Sequence, residues 1–279
     1  MGAQQRHVQT KDVGELYDQI TELPTGLLGD NHHFGYFRDG VAGQTMEVAA
    51  DHLTDLLIER MALAPGQRVL DVGCGTGRPA VRTATTAGVD VVGITVSGKQ
   101  LAISRERARR EGKADQVDFQ LVDAMSLPFA ADSFDAALAI ESLVHMPDHA
   151  RVLRQIAGVL KPGGRLVGAH PVLRTTGSGD DAEFLRRFYE LFEITDQPVL
   201  EDYPRYLAEA GLRLTYLEDV YERVMPPSLA AMDTWIADNG DELRRSGMSQ
   251  ELVEQMRASM RRFSDLPNVG FALFTATPF

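Results

Sequence analysis

The sequence predicts an α/β fold built on a parallel β-sheet, and two observations support that prediction. Residues 68–77 (RVLDVGCGTG) join a short apolar run to three glycines at alternate positions, and a segment compatible with a helix follows. An apolar run of strand length bounded by glycines is typical of a strand buried within a parallel sheet. Further along the chain, runs of strand length alternate with helical segments, which favours parallel strands joined by right-handed crossovers.

Helices are predicted from apolar spacing and from capping signals. Apolar residues at helical spacing indicate an amphipathic helix over residues 45–61, and Ser97 is the expected N-cap of a helix over residues 98–111. Pro79 suits the start of a helix over residues 79–87, because the first turn needs no backbone donor. The other predicted helices are residues 13–20, 150–160, 181–192 and 201–210, and a long helical insert over 228–263.

Strands are predicted where short apolar runs stand between these helices. After the strand that opens residues 68–77, they are residues 89–94, 117–122, 134–140, 165–170, 212–217 and 268–277. The chain shows neither an internal repeat nor a clear domain linker. We therefore predict a single domain with a helical cap.

Composition restricts the classes of partner. The 279 residues carry a formal net charge of −12 with a pI near 5.0, which argues against a nucleic-acid partner because phosphates demand a basic face. Cys74 is the only cysteine, so a disulfide framework and a cysteine-based metal site are both excluded. The sequence shows no apolar signal segment and no run long enough to cross a bilayer. We expect a cytoplasmic protein without a membrane partner, and we leave a homo-oligomer open.

The glycine loop predicts a cofactor site that differs from a dinucleotide site. Gly73, Gly75 and Gly77 follow the spacing G-x-G-x-G, whereas a dinucleotide fingerprint would require glycine at position 78, where the chain has arginine. The second strand is followed by Thr95 rather than by the acid that usually holds a dinucleotide ribose.

These residues resemble the class I S-adenosylmethionine-dependent methyltransferases. The matching blocks are residues 69–77 (VLDVGCGTG), 123–129 (DAMSLPF), 134–135 (FD), 141–148 (ESLVHMPD) and 160–164 (LKPGG). Within that family the chain is most similar to small-molecule methyltransferases of actinobacterial natural-product pathways, such as the rebeccamycin sugar O-methyltransferase, with the geranyl diphosphate C-methyltransferases as relatives. The resemblance implies a Rossmann-like, seven-stranded, mostly parallel sheet with a reversed last strand, and S-adenosylmethionine as the cofactor.

The resemblance also implies how one domain, residues 1–279, is divided. Residues 1–44 would form an N-terminal arm over the active site, and residues 45–173 the cofactor-binding core. Residues 174–267 would supply cap helices and strand six, with the insert as a lid over the substrate. Residues 268–279 would hold the last strand.

Cofactor-binding residues follow from the same resemblance. They are Tyr17, Asp71, Gly73, Gly75, Gly77, Thr95, Gln100, Asp123 and Ala124. Tyr17 would reach the methionine carboxylate, and Asp71 would orient the glycine loop. Thr95 and Gln100 would hold the ribose in place of the usual carboxylate, while Asp123 would accept a hydrogen bond from the adenine amine. Two plainer interpretations stay open, that Tyr17 staples the arm to the core and that Asp123 only forms a turn.

Candidate catalytic residues are two histidines and one carboxylate. Glu141 follows strand four and His145 lies four residues later, a spacing that can place both over one pocket. His145 is the natural general base for an alcohol or phenol, because the pKa of histidine lies near the working pH. His170, at the end of strand five, is the second candidate. A purely structural role stays open for each histidine.

Three residues are candidates for substrate binding, and the adjacent histidines 32 and 33 raise the question of a metal site. The resemblance places His33 and Tyr36 at the substrate, and Trp235 belongs to an aromatic set in the predicted cap that would suit an apolar molecule. His32 and His33 are adjacent rather than spaced to face one ion, so we expect no metal.

The sequence supports one main function and two alternatives. The main expectation is O-methylation of a mostly apolar small molecule in secondary metabolism, with a histidine as general base. The first alternative is C-methylation of a prenyl or polyene carbon, with or without cyclisation, in which Glu141 would stabilise a carbocation. The second is a non-methylating cyclase or binding protein that keeps the cofactor as a structural ligand.

Overall fold

A computed structural model describes residues 13–14, 18, 29–39, 43–191, 193–195, 198–245 and 249–279. Tyr17 and most of the predicted helix over residues 13–20 lie outside the described residues.

A seven-stranded mixed sheet forms the centre of the fold. Its strands are β1 (Arg68–Val72), β2 (Asp90–Thr95), β3 (Val117–Leu121), β4 (Phe134–Ile140), β5 (Leu160–Leu173), β6 (Leu212–Asp219) and β7 (Val269–Pro278). They lie in the order β3-β2-β1-β4-β5-β7-β6, and β7 runs antiparallel to both of its neighbours. The other neighbouring pairs are parallel. The predicted Rossmann-like sheet with a reversed last strand is therefore confirmed.

Helices cover both faces of this sheet. They are α1 (Met46–Met61), α2 (Arg78–Ala87), α3 (Gly98–Arg110), α4 (His149–Val159), α5 (Gly179–Leu191), α6 (Tyr203–Glu209), α7 (Tyr221–Asp238), α8 (Gly240–Arg245) and α9 (Gln250–Ser264). Buried residues of α1, α2 and α7 share one core with one face of the sheet, whereas α4 and α6 pack against the other face. Among the described residues, no helix is long and apolar enough to cross a membrane.

Two local predictions are confirmed by capping contacts. The hydroxyl of Ser97 accepts a hydrogen bond from the backbone N–H of Gln100, so Ser97 is the N-cap of α3. The hydroxyl of Thr45 accepts in the same way from the backbone N–H of Val48, so Thr45 is the N-cap of α1. The helix therefore begins at Met46, one residue after the predicted start.

The predicted insert over residues 228–263 is wrong in its bounds. The structure starts α7 at Tyr221 and divides the region into three helices. Pro226 and Pro227 disfavour a helix that spans them, because a proline has no N–H to donate to the carbonyl four residues earlier. For Pro227 that carbonyl belongs to Arg223. It accepts a hydrogen bond from the N–H of Phe37 at 2.8 Å instead. A contact from the N-terminal arm thus supports a helix that the sequence alone disfavours.

The sheet order determines where a ligand can bind. β1 lies between β2 and β4, and the chain leaves β1 for β2 on one side and reaches β4 on the other. In open α/β sheets, ligands bind beyond the carboxyl ends of the strands at such a switch point. The loops that follow β1, β2 and β4 are therefore expected to form the site.

Candidate active site

A pocket lies at this switch point, with an empty volume of about 900 Å³ that includes its opening to solvent. Its walls come from the loops after β1, β2, β3 and β4 and from the N-terminal arm. The predicted site residues in its lining are His33, Asp71, Gly73, Gly75, Thr95, Gln100, Asp123, Ala124, Glu141 and His145. Apolar side chains with a few buried polar groups among them are the lining expected of a small-molecule site.

Glycine is required at the three positions of the loop for different structural reasons. A Cβ on Gly73 would lie 2.4 Å from the Cβ of Ser142, and a Cβ on Gly77 would lie 2.6 Å from the ring of Phe119. A Cβ on Gly75 would meet nothing within 4 Å. All three have positive φ, but Gly73 and Gly75 line the pocket, whereas Gly77 serves close packing behind it.

Asp71 presents a buried carboxyl to this region. The residue is 2% exposed, and its Oδ2 has no hydrogen-bond partner among the described residues. Burial raises the pKa of the Asp71 carboxyl to about 7. A cationic group bound in the pocket would favour ionised Asp71, so this unpartnered carboxyl fits the sulfonium and ammonium of S-adenosylmethionine.

Thr95 and Gln100 form the polar pair expected at a ribose. The Thr95 hydroxyl donates to Oε1 of Gln100 at 2.9 Å and accepts from the N–H of Ser97 at 3.1 Å. Both side chains are buried and line the pocket. Since Oε1 of Gln100 is the acceptor in this pair, its amide NH₂ is the group that can donate to a ribose hydroxyl.

Asp123 and Ala124 line the pocket after β3. Oδ1 of Asp123 accepts a hydrogen bond from the N–H of Met125 at 2.8 Å. This contact is the turn-forming role considered as the plainer alternative, and it leaves the second carboxyl oxygen as an acceptor for a ligand. Ala124 is buried and gives the wall an apolar surface.

The N-terminal arm closes one side of the pocket. The Thr76 hydroxyl donates to the carbonyl of Asp30 at 2.9 Å, and the buried guanidinium of Arg107 contacts both the Thr76 carbonyl and the Asp30 carboxylate. His33, which lines the pocket, is 3% exposed, and burial lowers the pKa of its imidazole to about 4. The arm thus brings a neutral histidine to the pocket.

Glu141 links the arm to the end of β4. Its Oε1 accepts a hydrogen bond from the N–H of Phe34 at 2.8 Å. Burial raises the pKa of the Glu141 carboxyl to about 8, and the Phe34 contact acts in the opposite direction. As the structure stands, Glu141 is therefore mostly protonated at neutral pH.

His145 lies in a 3-10 turn over Leu143–His145 and is part of the pocket lining. Its Nδ1 lies 3.2 Å from the carbonyl oxygen of Glu193. Because a carbonyl only accepts, Nδ1 carries the proton in this contact, and Nε2 of the neutral ring carries the lone pair. This is the tautomer that can take up a proton at Nε2.

His170 is not part of the pocket lining and packs on the face of the sheet that α4 and α6 cover. Its Nε2 is hydrogen-bonded to the Tyr203 hydroxyl, and its ring packs edge-on against Phe274. These residues line a second, much smaller cavity that includes His149 and Tyr206. Burial lowers the pKa of the His170 imidazole to about 3, so this histidine is neutral.

The structure does not bring Tyr36 or Trp235 to the pocket. The Tyr36 hydroxyl instead accepts a hydrogen bond from the exposed side chain of Arg223 at 2.6 Å. Trp235 packs with Ile236, Leu243 and Val253 among the cap helices. The described residues of the predicted cap contribute nothing to the lining of this pocket.

Asn31 and His32 belong to the lining although the sequence did not single them out as ligands. Asn31 is buried, its Nδ2 donates to Asp51 at 3.3 Å, and its Oδ1 has no partner among the described residues. In the sequence, the mixture of histidines and turn-forming residues within residues 23–37 is the signal that could have indicated them. In the described parts of the chain, no three His, Cys, Asp or Glu side chains are grouped to hold a metal ion.

The chain is similar to known methyltransferases over nearly its whole length. Residues 70–168 match a family model described as a methyltransferase domain. The methyltransferase GfsG of Streptomyces halstedii is 38% identical over 96% of this chain and 94% of its own. The 27-O-demethylrifamycin SV methyltransferase of Amycolatopsis mediterranei is 38% identical over 95% of this chain and 96% of its own. Among solved structures, the 4+2 cyclase SpnF is 35% identical with a TM-score of 0.78, covering 97% of this chain and 96% of that one.

Proposed function

This chain belongs to the class I S-adenosylmethionine-dependent methyltransferases, and from that premise we propose that it methylates a hydroxyl group of a mostly apolar small molecule, with His145 as general base. S-adenosylmethionine is the cofactor, and the substrate is a small molecule of a natural-product pathway. The observation that carries the proposed base is the contact between Nδ1 of His145 and the carbonyl of Glu193.

S-adenosylmethionine supplies a methyl group attached to a sulfonium. The residues that would hold it are those that line the pocket, with Asp71 for the cationic methionine portion and the Thr95–Gln100 pair for the ribose. Gly75 supports this assignment, because its backbone borders the pocket and a Cβ there would meet no protein atom.

The protein has two tasks in such a reaction. It must hold the acceptor oxygen in line with the methyl group, and it must take the proton that this oxygen loses. Nε2 of His145 would take that proton, which leaves an imidazolium whose Nδ1–H still donates to Glu193.

C-methylation of a prenyl or polyene carbon stays the first alternative. It would need a negative charge near the developing carbocation, and Glu141 is the carboxyl expected to supply it. In the empty pocket burial raises the pKa of the Glu141 carboxyl to about 8, whereas a bound sulfonium favours its ionised form, as it does that of Asp71. The position of the transferred methyl group in the product separates the two reactions.

Cyclisation without methyl transfer is a second candidate function. It is favoured by one observation, the 35% identity and TM-score of 0.78 to the cyclase SpnF. The pocket itself does not distinguish the two reactions, since a methyltransferase and a non-methylating cyclase would both retain the glycine loop. The mass of the product does separate them, because methyl transfer adds one methyl group and rearrangement leaves the mass unchanged.

The test uses the 279-residue protein, S-adenosylmethionine carrying a ¹³C-labelled methyl group, and a panel of hydroxylated secondary metabolites that includes 27-O-demethylrifamycin SV. We expect one member to gain a labelled O-methyl group with one equivalent of S-adenosylhomocysteine formed. For that acceptor, His145→Gln should lower kcat by about 10²–10⁴-fold. A labelled methyl group on carbon, or an unchanged rate in His145→Gln, would overturn the proposed chemistry.

A further inference from the structure

Residues 193–195 contact the His145 turn at three points. Nδ1 of His145 donates to the carbonyl of Glu193 at 3.2 Å. The backbone N–H of Thr195 donates to the carbonyl of Val144 at 2.8 Å, and the Thr195 hydroxyl donates to the same carbonyl at 3.0 Å. The turn is thus fixed by this neighbouring segment as well as by its own short hydrogen bonds.

We infer that Thr195 and His149 are positioning residues that hold this turn so that His145 keeps its proton on Nδ1 and reacts through Nε2. The inference rests on the proposed role of His145 as general base. Neither residue is part of the pocket lining, so each would act on the reaction through His145.

The Glu193 carbonyl is itself fixed by the end of α5. Glu193 has a φ of 49°, in the left-handed region that usually follows the last residue of a helix. The next N–H, that of Ile194, donates back to the carbonyl of Tyr189 at 2.8 Å. A non-glycine residue adopts this conformation at an energetic cost, which indicates that the surrounding contacts hold it in place.

His149 extends the arrangement by one hydrogen bond. Its Nε2 lies 2.6 Å from the Thr195 hydroxyl oxygen. The single hydroxyl proton is directed to the Val144 carbonyl, so the hydroxyl accepts from Nε2–H of His149. The His149 ring is in turn held edge-on against Tyr206, with ring centroids 6.2 Å apart. A continuous series of donors therefore runs from His149 through Thr195 to the residue before His145.

The chemical consequence concerns the tautomer of His145. In a neutral imidazole, the hydrogen bond made by one ring nitrogen determines which nitrogen carries the proton. If the turn moved away from Glu193, Nδ1 would lose its acceptor and the proton would be free to occupy Nε2. His145 could not then take a proton at Nε2, so loss of positioning would appear as a lower kcat rather than as weaker cofactor binding.

The matched variants differ by single groups. Thr195→Val removes the hydroxyl but keeps the shape, and Thr195→Ser restores the hydroxyl. Tyr206→Phe is the control, because it removes a hydroxyl from the small cavity that His149 and Tyr206 line but leaves the His149–Thr195 hydrogen bond in place. If Thr195→Val does not fold, His149→Phe removes the donor and keeps an aromatic ring against Tyr206.

The primary measurement needs no acceptor. In full-length protein labelled with ¹⁵N-histidine, the two ring nitrogens of His145 are assigned by their loss in His145→Gln. We expect the proton on Nδ1 in the wild type and in Thr195→Ser, and a mixture of tautomers in Thr195→Val. With an accepted hydroxyl substrate, kcat of Thr195→Val should fall about tenfold, while its affinity for S-adenosylhomocysteine changes less than about twofold. An unchanged His145 tautomer in both Thr195→Val and His149→Phe would overturn the inference.

The same data separate this inference from the proposed function. If His145→Gln transfers methyl groups at the wild-type rate, the proposed base is wrong, whereas a tautomer shift in Thr195→Val would still establish the positioning. If His145→Gln is inactive but both Thr195→Val and His149→Phe keep the tautomer and the rate, the base stands and the positioning role is wrong.

Discussion

The backbone N–H of Phe34 donates to Oε1 of Glu141 at 2.8 Å, across 107 positions of the sequence. Phe34 belongs to the N-terminal arm, and Glu141 follows β4 at the edge of the pocket. Glu141 also has a φ of 50°, a conformation that few non-glycine residues adopt. The contact therefore joins the arm to the loop after β4 at a residue whose backbone is itself constrained.

Removing the Glu141 acceptor should release the arm. Glu141→Ala leaves the Phe34 N–H without its partner, and a lost hydrogen bond of this kind costs about 1–2 kcal/mol. Amide exchange at Phe34, measured by NMR or mass spectrometry, should accelerate about tenfold. Glu141→Gln keeps a carbonyl acceptor and should exchange close to the wild type. Equal exchange in all three proteins would show that the contact does not hold the arm.

Gly75 and Gly77 should respond differently to alanine. Gly75→Ala meets no protein atom, so its folding cost is about 1 kcal/mol of backbone strain, but its methyl group enters the cofactor site. Gly77→Ala places a Cβ 2.6 Å from Phe119 and 2.8 Å from Ser104, which adds roughly 1–3 kcal/mol of overpacking.

Calorimetry distinguishes the two glycine variants. We expect Gly75→Ala to lose affinity for S-adenosylhomocysteine with a small change in Tm. Gly77→Ala should lose more Tm, and the fraction that folds should still bind the ligand. The reverse ranking of Tm would contradict the packing role assigned to Gly77.

Local patterns predicted the parts of the site that depend on local chemistry. The glycine spacing and the cap at Ser97 are each encoded within a few residues, whereas the polar pair Thr95–Gln100 was predicted from the family resemblance. The alternation of strands and helices then placed these loops at one edge of the sheet, because parallel strands bring their carboxyl ends together. These features could be read without knowing any long-range contact.

The features that the sequence missed depend on contacts between distant segments. His170 was expected near the pocket, but successive strand residues face opposite sides, and only the packing of Tyr203 and Phe274 shows which side His170 takes. Likewise, the start of α7 ahead of Pro227 depends on a donor from Phe37 in the arm. No pattern within either segment carries this information.

Cofactor binding should release protons near neutral pH. In the free protein, burial raises the pKa of Asp71 to about 7, from an ordinary value near 3.8. A cationic ligand in the pocket favours the ionised carboxyl, so affinity should rise with pH up to about 7, by at most about tenfold per pH unit. Titration of S-adenosylmethionine in two buffers of different ionisation enthalpy at pH 6 measures the release.

Asp71→Asn is the variant that checks the source of these protons. It cannot ionise and should release fewer protons on binding than the wild type. Glu141→Gln is the matched comparison, since the pKa of Glu141 is also raised, to about 8. Unchanged proton release in Asp71→Asn would remove Asp71 as the titrating group.

His170 should contribute to stability without contributing to catalysis. Its folded-state pKa is lowered to about 3 from an ordinary 6.5. Between these values the unfolded chain binds a proton that the folded protein does not, so stability is retained above pH 6.5 and is lost as pH falls toward 3. His170→Gln removes this group, and we expect its Tm to fall less than that of the wild type between pH 7 and pH 5.

His33→Gln is the matched control, because the pKa of His33 is also lowered, to about 4, but its side chain lines the pocket. Both variants should flatten the pH dependence of Tm, while only His33→Gln should change the affinity for S-adenosylhomocysteine. A loss of methyl transfer in His170→Gln comparable to that in His145→Gln would show that His170 takes part in catalysis, although it does not line the pocket.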